Sequence, residues 1–266
     1  MTGEEAMQAL GDPAAPGLAA RAAVGWRALW VGVRFAARRP SLWPWMLLPF
    51  AVGLLLVVGA TALAWLTTAP LLAWLTGADR AREQVAVAVL PLLFAVAIGV
   101  LTAGVAWFSL NWLAMPFHEE LSQRVEWAVT GQRYRPTWAQ WFAEGAWGLV
   151  HGALTFGVWL AAMLASLLLQ LIPVIGSVLG FLLGAFASAF LISRETLDGP
   201  MARRRFGYGR KLRVIKNNPA VSLTHGAWTA LFMWIPIVNV AVLPFAVVGG
   251  TLLFLRLERA SLIPPK

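Results

Sequence analysis

Two stretches without a single charge dominate this sequence: residues 40–78, bounded by Arg39 and Asp79, and residues 84–116, which follow Glu83. A helix needs about 20 apolar residues to cross a bilayer, so each stretch predicts a long transmembrane helix, about 40–78 and 84–116, joined by a turn over Asp79 to Glu83. The 266 residues are 59% hydrophobic and 12% charged, against roughly 25% charged in soluble domains. That balance excludes a soluble globule and a disordered chain and leaves an all-α integral membrane protein.

Two further apolar blocks carry breaks. Residues 146–193 are interrupted by Ile172-Pro173-Val174-Ile175-Gly176, and residues 220–255 by Ile235-Pro236-Ile237-Val238-Asn239. Proline removes a backbone donor and clashes with the preceding turn, while Gly or Asn accepts a left-handed turn, so each break predicts a helical hairpin. The arms of the second are about 15 residues, or about 22 Å, short of a hydrocarbon core of roughly 30 Å. Half-penetrating (re-entrant) hairpins are expected over 146–193 and 220–255, with tips at Pro173, Gly176, Pro236 and Asn239. Irregular backbone at membrane depth is tolerated only against protein or a water-filled cavity, which places these tips on a candidate pathway. The two breaks align as a repeat that also pairs Glu195 with Glu258.

The 21 Lys and Arg outnumber the 12 Asp and Glu, for a net charge of +9. In so apolar a chain this excess reads as cytoplasmic loops, with no nucleic-acid partner. Arg21, Arg27, Arg34, Arg38 and Arg39 precede the first long helix, and Arg194, Arg203, Arg204, Arg205, Arg210, Lys211, Arg213 and Lys216 lie in or near the connector 194–219. Two crossings and two re-entrant hairpins put every basic segment on one face, which makes the protein multi-pass in a bacterial-type inner (plasma) membrane with both termini cytoplasmic. Residues 117–145, rich in Trp and charges, read as interfacial helices. Residues 1–20 read as a flexible tail, 21–258 as one helical membrane domain and 259–266 as a C-terminal tail.

The sequence has no cysteine, which excludes disulfides, thiolate catalysis and Cys-ligated metals. Its histidines, His118, His151 and His225, are scattered, and His118-Glu119-Glu120 reads as a solvated interfacial cluster. No catalytic residue, metal site or cofactor is predicted, and the apolar blocks hold no Asp or Glu of the kind a proton-coupled carrier uses. Helix termini and arginines suit an oxyanion instead. The run Arg38-Arg39-Pro40-Ser41-Leu42-Trp43-Pro44 nominates Arg38, Arg39, Ser41 and Leu42 as anion-binding residues; the competing reading is topological anchoring with contact to lipid phosphates. The Arg203 to Lys216 cluster reads as solvated anchoring or anionic-lipid binding.

Several segments resemble one family. Pro116-Phe117-His118-Glu119-Glu120-Leu121, followed by Arg124-Val125-Glu126 and Thr130-Gly131, is similar to the post-helix signature of the CysZ-type sulfate permeases within the etoposide-induced-protein superfamily. The segments Ile172 to Gly176, Ile235 to Asn239 and Gly249-Gly250-Thr251 resemble that family's hairpin and terminal signatures. The resemblance implies two crossing helices with two half-penetrating hairpins, a homo-oligomer, and passage of sulfate, a small inorganic anion, inward for cysteine synthesis. Where the family carries Pro-Gly-Leu-Arg before its first transmembrane helix, this chain has Pro40-Ser41-Leu42-Trp43. The alternative reading is a non-transporting membrane scaffold that recognises lipids or partners through its basic face.

Overall fold

The computed structural model describes residues 1–76, 116–173 and 175–263. Among them every regular element is helical: α1 (Gly3–Leu10), α2 (Leu18–Ala37), a 3-10 turn (Pro40–Leu42), α3 (Trp43–Thr76), α4 (116–130), α5 (Trp138–Leu169), α6 (Ile175–Arg203), α7 (Tyr208–Asn217), α8 (Pro219–Met233) and α9 (Pro236–Arg259). The predicted second long helix, 84–116, lies outside the described residues except for its last one.

The chain divides into two compact units, residues 44–117 and the remainder. In the first, α3 runs for 34 residues, about 51 Å, with Leu47, Leu54, Leu55 and Leu66 on its exposed surface. Apolar side chains on several faces are what a helix immersed in lipid presents.

The second unit begins with a difference from expectation. Residues 1–20, read as a flexible tail, contain α1, whose Thr2 and Glu5 form a reciprocal capping box and whose Ala6, Met7 and Leu10 are buried. The acidic residues that argued for a solvated tail cap this helix or pair across the fold: Glu4 accepts from Arg259 at 2.8 Å. The segment expected to be interfacial over 117–145 is also divided. α4 ends at residue 130, and a second capping box, between Thr137 and Gln140, starts α5 eight residues ahead of the apolar block.

Both proline breaks are turns between consecutive helices. α5 and α6 are joined over residues 170–174, and a Cβ on the buried Gly176 would overlap the Leu169 carbonyl oxygen, so the close return of the chain requires glycine there. α8 and α9 are joined through Trp234 and Ile235, with Pro236 at the first position of α9, where its missing N–H costs nothing. Asn239, expected in unwound backbone at the tip, falls inside the first turn of α9. Among the residues described with their side chains, the segments Gly145–Leu169, Ile175–Arg203 and Ala241–Arg259 are long and apolar enough to cross a membrane. α8, at 15 residues, rises only about 22 Å.

α8 is the hub, packed on α6, α2 and α9. A Cβ on Gly226 would overlap the Ala189 carbonyl oxygen, so α6 and α8 touch backbone to backbone. Trp26 and Trp228, with ring centroids 4.0 Å apart, close the α2 side, and Leu29 joins Val242 and Ala246 in an apolar cluster. α6 ends where Arg205 takes a left-handed conformation (φ 55°) and the Phe206 amide bonds back to the Met201 carbonyl at 3.0 Å, a Schellman closure. This stop swings the chain into α7.

Candidate functional site

The nominated anion border is the corner at the 3-10 turn that follows α2. Arg38 caps the C-terminus of α2 and is exposed. Arg39 folds back so that its guanidinium lies 4.4 Å from the Phe35 ring centre, with Nη2 3.5 Å from the Met1 carbonyl oxygen, while its Nε is buried with no acceptor. Ser41 is exposed in the 3-10 turn; Leu42 is buried and its amide is already bonded to the Arg39 carbonyl at 2.9 Å. The Trp43 indole donates to the Ala36 carbonyl at 3.1 Å and pins the corner to α2. Among the described residues, the exposed Arg38 guanidinium and the buried Nε of Arg39 therefore lack a protein acceptor here. Leu42 is a packing residue.

The nominated pathway tips are separate from this corner. Pro173 lies in the α5–α6 turn and is exposed, Gly176 is buried at the start of α6, and Pro236 and Asn239 occupy the first turn of α9. Among the described residues no hydrogen bond or ion pair joins Arg38 or Arg39 to either turn.

A second constellation, which sequence reading missed, is a polar network that joins α4, α6 and α9. Glu119, Ser122 and Glu126 share one face of α4 through their three- and four-residue spacing. Arg203, at the end of α6 and with a side chain only 5% exposed, donates from Nη1 to Glu119 at 2.5 Å, from Nε and Nη2 to Glu126 at 2.8 and 2.6 Å, and from Nη2 to Ser122 at 2.9 Å. The hydroxyls of Ser122 and Thr251 are 2.8 Å apart, which carries the network to α9. Arg204 pairs with Glu126 at 2.9 Å and grips both oxygens of Glu258 at 2.6 Å. Each arginine uses its planar fork on carboxylates, the geometry that gives such pairs strength. Next to Glu119, burial pushes the His118 imidazole down to about 4, so it is neutral at pH 7.

These contacts revise two expectations. Glu119 belongs to an internal ion-pair network instead of a solvated cluster, because α4 turns it toward Arg203. In the basic run, Arg203, Arg204 and Lys211 are engaged in ion pairs, which leaves Arg205, Arg213 and Lys216 as its exposed cations. The proposed equivalence of Glu195 and Glu258 also fails to carry over to contacts: Glu258 is clasped by Arg204, whereas Glu195 is exposed on α6.

A family model described as Sulfate transporter CysZ/Etoposide-induced protein 2.4 matches residues 28–244, most of the chain. The chain belongs to this family. A relative named Sulfate transporter CysZ, from Pseudomonas syringae pv. tomato, is 27% identical over 156 residues, which cover 58% of this chain and 61% of that protein. The chain thus matches less than two thirds of that relative's length.

For this CysZ-family chain the geometry gives the signature-like segments a physical role. Glu119 and Glu126 of the post-helix segment meet Arg203, and Thr251 of the terminal Gly249-Gly250-Thr251 segment meets Ser122. Gly199 sits in the seam, where a Cβ would come 2.6 Å from the Ser122 hydroxyl. The resemblance therefore runs through the residues that lock α4, α6 and α9 together. The i, i+3, i+7 polar stripe on α4 was the sequence signal for it.

Proposed function

We propose that this chain is a permease or channel-like protein for a small oxyanion, sulfate first, supplying cysteine synthesis from a bacterial-type inner membrane. Family membership supports transport, and one observation carries the location of the anion. Arg39 has a buried Nε with no acceptor, beside the exposed Arg38, at the corner that leads into the 34-residue apolar α3. A guanidinium donor held out of water without an acceptor favours a bound oxyanion. The apolar blocks 146–193 and 220–255 hold no Asp or Glu of the kind a proton-coupled carrier uses; if the anion passes passively, consumption of sulfate inside supplies the gradient.

In this reading the hairpins α5–α6 and α8–α9 enter the membrane turn-first, α8–α9 as a half-penetrating element, and the protein works as a homo-oligomer that covers part of its exposed apolar surface. Both termini are cytoplasmic. The ion pair of Glu4 with Arg259 and the bond from Arg256 to the Gly11 carbonyl at 2.9 Å support a shared side, independently of the charge rule. Tags at Gly77, Gly131, Gly209 and the C-terminus then report one outside and three inside positions.

The deciding experiment is radiolabelled sulfate uptake into proteoliposomes, comparing the intact chain, the Arg38→Ala/Arg39→Ala variant and empty vesicles. Saturable uptake that falls at least tenfold in the variant is expected. Uptake by the intact chain no faster than empty vesicles would overturn the proposal. It would favour the scaffold reading, which the exposed Arg205, Arg213 and Lys216 support as a lipid- or partner-facing surface.

A further inference from the structure

A separate basic cluster lies between α5, α6 and α7. Arg194 on α6 is 5% exposed, yet its Nε is buried without an acceptor and its Nη2 is 3.4 Å from Asp198 Oδ1, too far for a strong hydrogen bond. Its charged head lies 5.3 Å from the ring centre of Tyr208, the first residue of α7, and His151 of α5 packs near the same ring with centroids 5.7 Å apart. Lys211 on α7 is 2% exposed and takes the same Asp198 oxygen at 2.8 Å. Two buried cations thus share one carboxylate, and the nearer cation to it is the lysine. Glu195, the neighbouring carboxylate on α6, is exposed.

A guanidinium has five donors in a fixed fork, and one removed from water needs acceptors for them. The stacked tyrosine supplies a π face and no acceptor in the plane of the fork. Among the described residues the chain supplies no acceptor to the buried Nε of Arg194, and does so beside a second buried cation, Lys211.

We propose that Arg194 and Lys211 form a binding site for a tetrahedral oxyanion, a phosphate or sulfate group, seated on the guanidinium edge that Asp198 does not reach. The site uses none of the residues assigned to transport above, so it stands or falls apart from that function. The position along the helix bears on the source of the anion. Ile175 to Arg194 is a rise of about 28 Å, close to a hydrocarbon core of roughly 30 Å. With the α5–α6 turn at one membrane surface, Arg194 lies at the headgroup level of the other, where lipid phosphates and free oxyanions are both within reach.

The full chain in dodecylmaltoside is heated while tryptophan fluorescence is followed, with sodium sulfate, inorganic phosphate, dioctanoylphosphatidylglycerol, dioctanoylglycerol or sodium chloride added at matched ionic strength. The site predicts a saturable rise in the unfolding midpoint with at least one of the first three probes and none with dioctanoylglycerol or chloride. Response to sulfate or phosphate identifies a free anion; response to the phosphatidylglycerol alone identifies a lipid headgroup. Arg194→Gln should weaken the effective probe tenfold or more. Arg194→Lys keeps the charge, loses the fork and serves if the glutamine variant does not fold; it too should weaken binding. Arg135→Gln, in the exposed segment between α4 and α5, should bind as the intact chain does. No probe exceeding chloride, or unchanged binding in the Arg194 variants, would overturn the proposal.

Discussion

Removing Arg203 tests whether the ion-pair network, as opposed to apolar packing alone, holds α4, α6 and α9 in place. Arg203→Ala deletes four hydrogen bonds to Glu119, Glu126 and Ser122. Truncating one partner of a buried ion pair costs about 3–5 kcal/mol, because the other charge is left buried and unpaired. The two carboxylates do not suffer equally. The Glu119 side chain is 37% exposed, so water takes over part of the lost interaction, and Glu126 keeps Arg204 at 2.9 Å. The loss should therefore fall at the lower end, about 3 kcal/mol, or roughly a hundredfold in the unfolding equilibrium. Arg203→Lys retains a charge without the fork and should lose about 1–2 kcal/mol. The assay is reversible unfolding in dodecylmaltoside micelles with a rising fraction of dodecyl sulfate, with the exposed Arg213→Ala as control. A value for Arg203→Ala within about 1 kcal/mol of that control would refute the reasoning, since such surface changes cost about 0.5 kcal/mol.

Gly226→Ala should force α6 and α8 apart, because the new Cβ meets the Ala189 backbone instead of a movable side chain; a loss of about 2–3 kcal/mol is expected in the same assay, while Gly209→Ala, in α7 with open space around it, should gain up to about 1 kcal/mol. Trp43→Phe removes the bond to the Ala36 carbonyl and should cost about 1 kcal/mol; an unchanged midpoint would show that the corner does not depend on it. His118 has a folded pKa of about 4, below its ordinary 6.5, so the unfolded chain binds the proton first. Its contribution is complete above pH 6.5 and is lost as pH falls through about 4; at pH 5 the loss is about 2 kcal/mol, and His118→Gln should flatten this part of the profile.

Local chemistry was legible in the sequence, and pairing across the fold was not. Pro173 and Pro236 announce the two turns because proline acts on its own neighbourhood, and the uncharged residues 40–78 announce α3. The border residues Arg38 and Arg39 were likewise visible as charges beside an apolar run, but the inward folding of Arg39 onto Phe35 was not. Glu119 and Arg203 are 84 residues apart, and nothing local distinguishes a carboxylate that finds such a partner from one in water. Lys211 looked like one cation in a solvated run and is instead buried against Asp198, because α7 turns that face to α6. α1 was hidden for a related reason: eight residues with two acids resemble a tail until the surface that buries Ala6 and Leu10 is in place.

The part of that surface that α9 supplies is made late. Arg259, the partner of Glu4, is synthesised 255 positions after it. At a synthesis rate of about 5–20 residues per second, α1 waits on the order of ten seconds or more before the end of α9 exists to receive it. Through that interval an isolated eight-residue helix is marginal in water, capping box or not. The clasp between α1 and α9 thus forms only after α9 is made, and a chain stalled before residue 256 should leave α1 open to proteases that the folded unit shields.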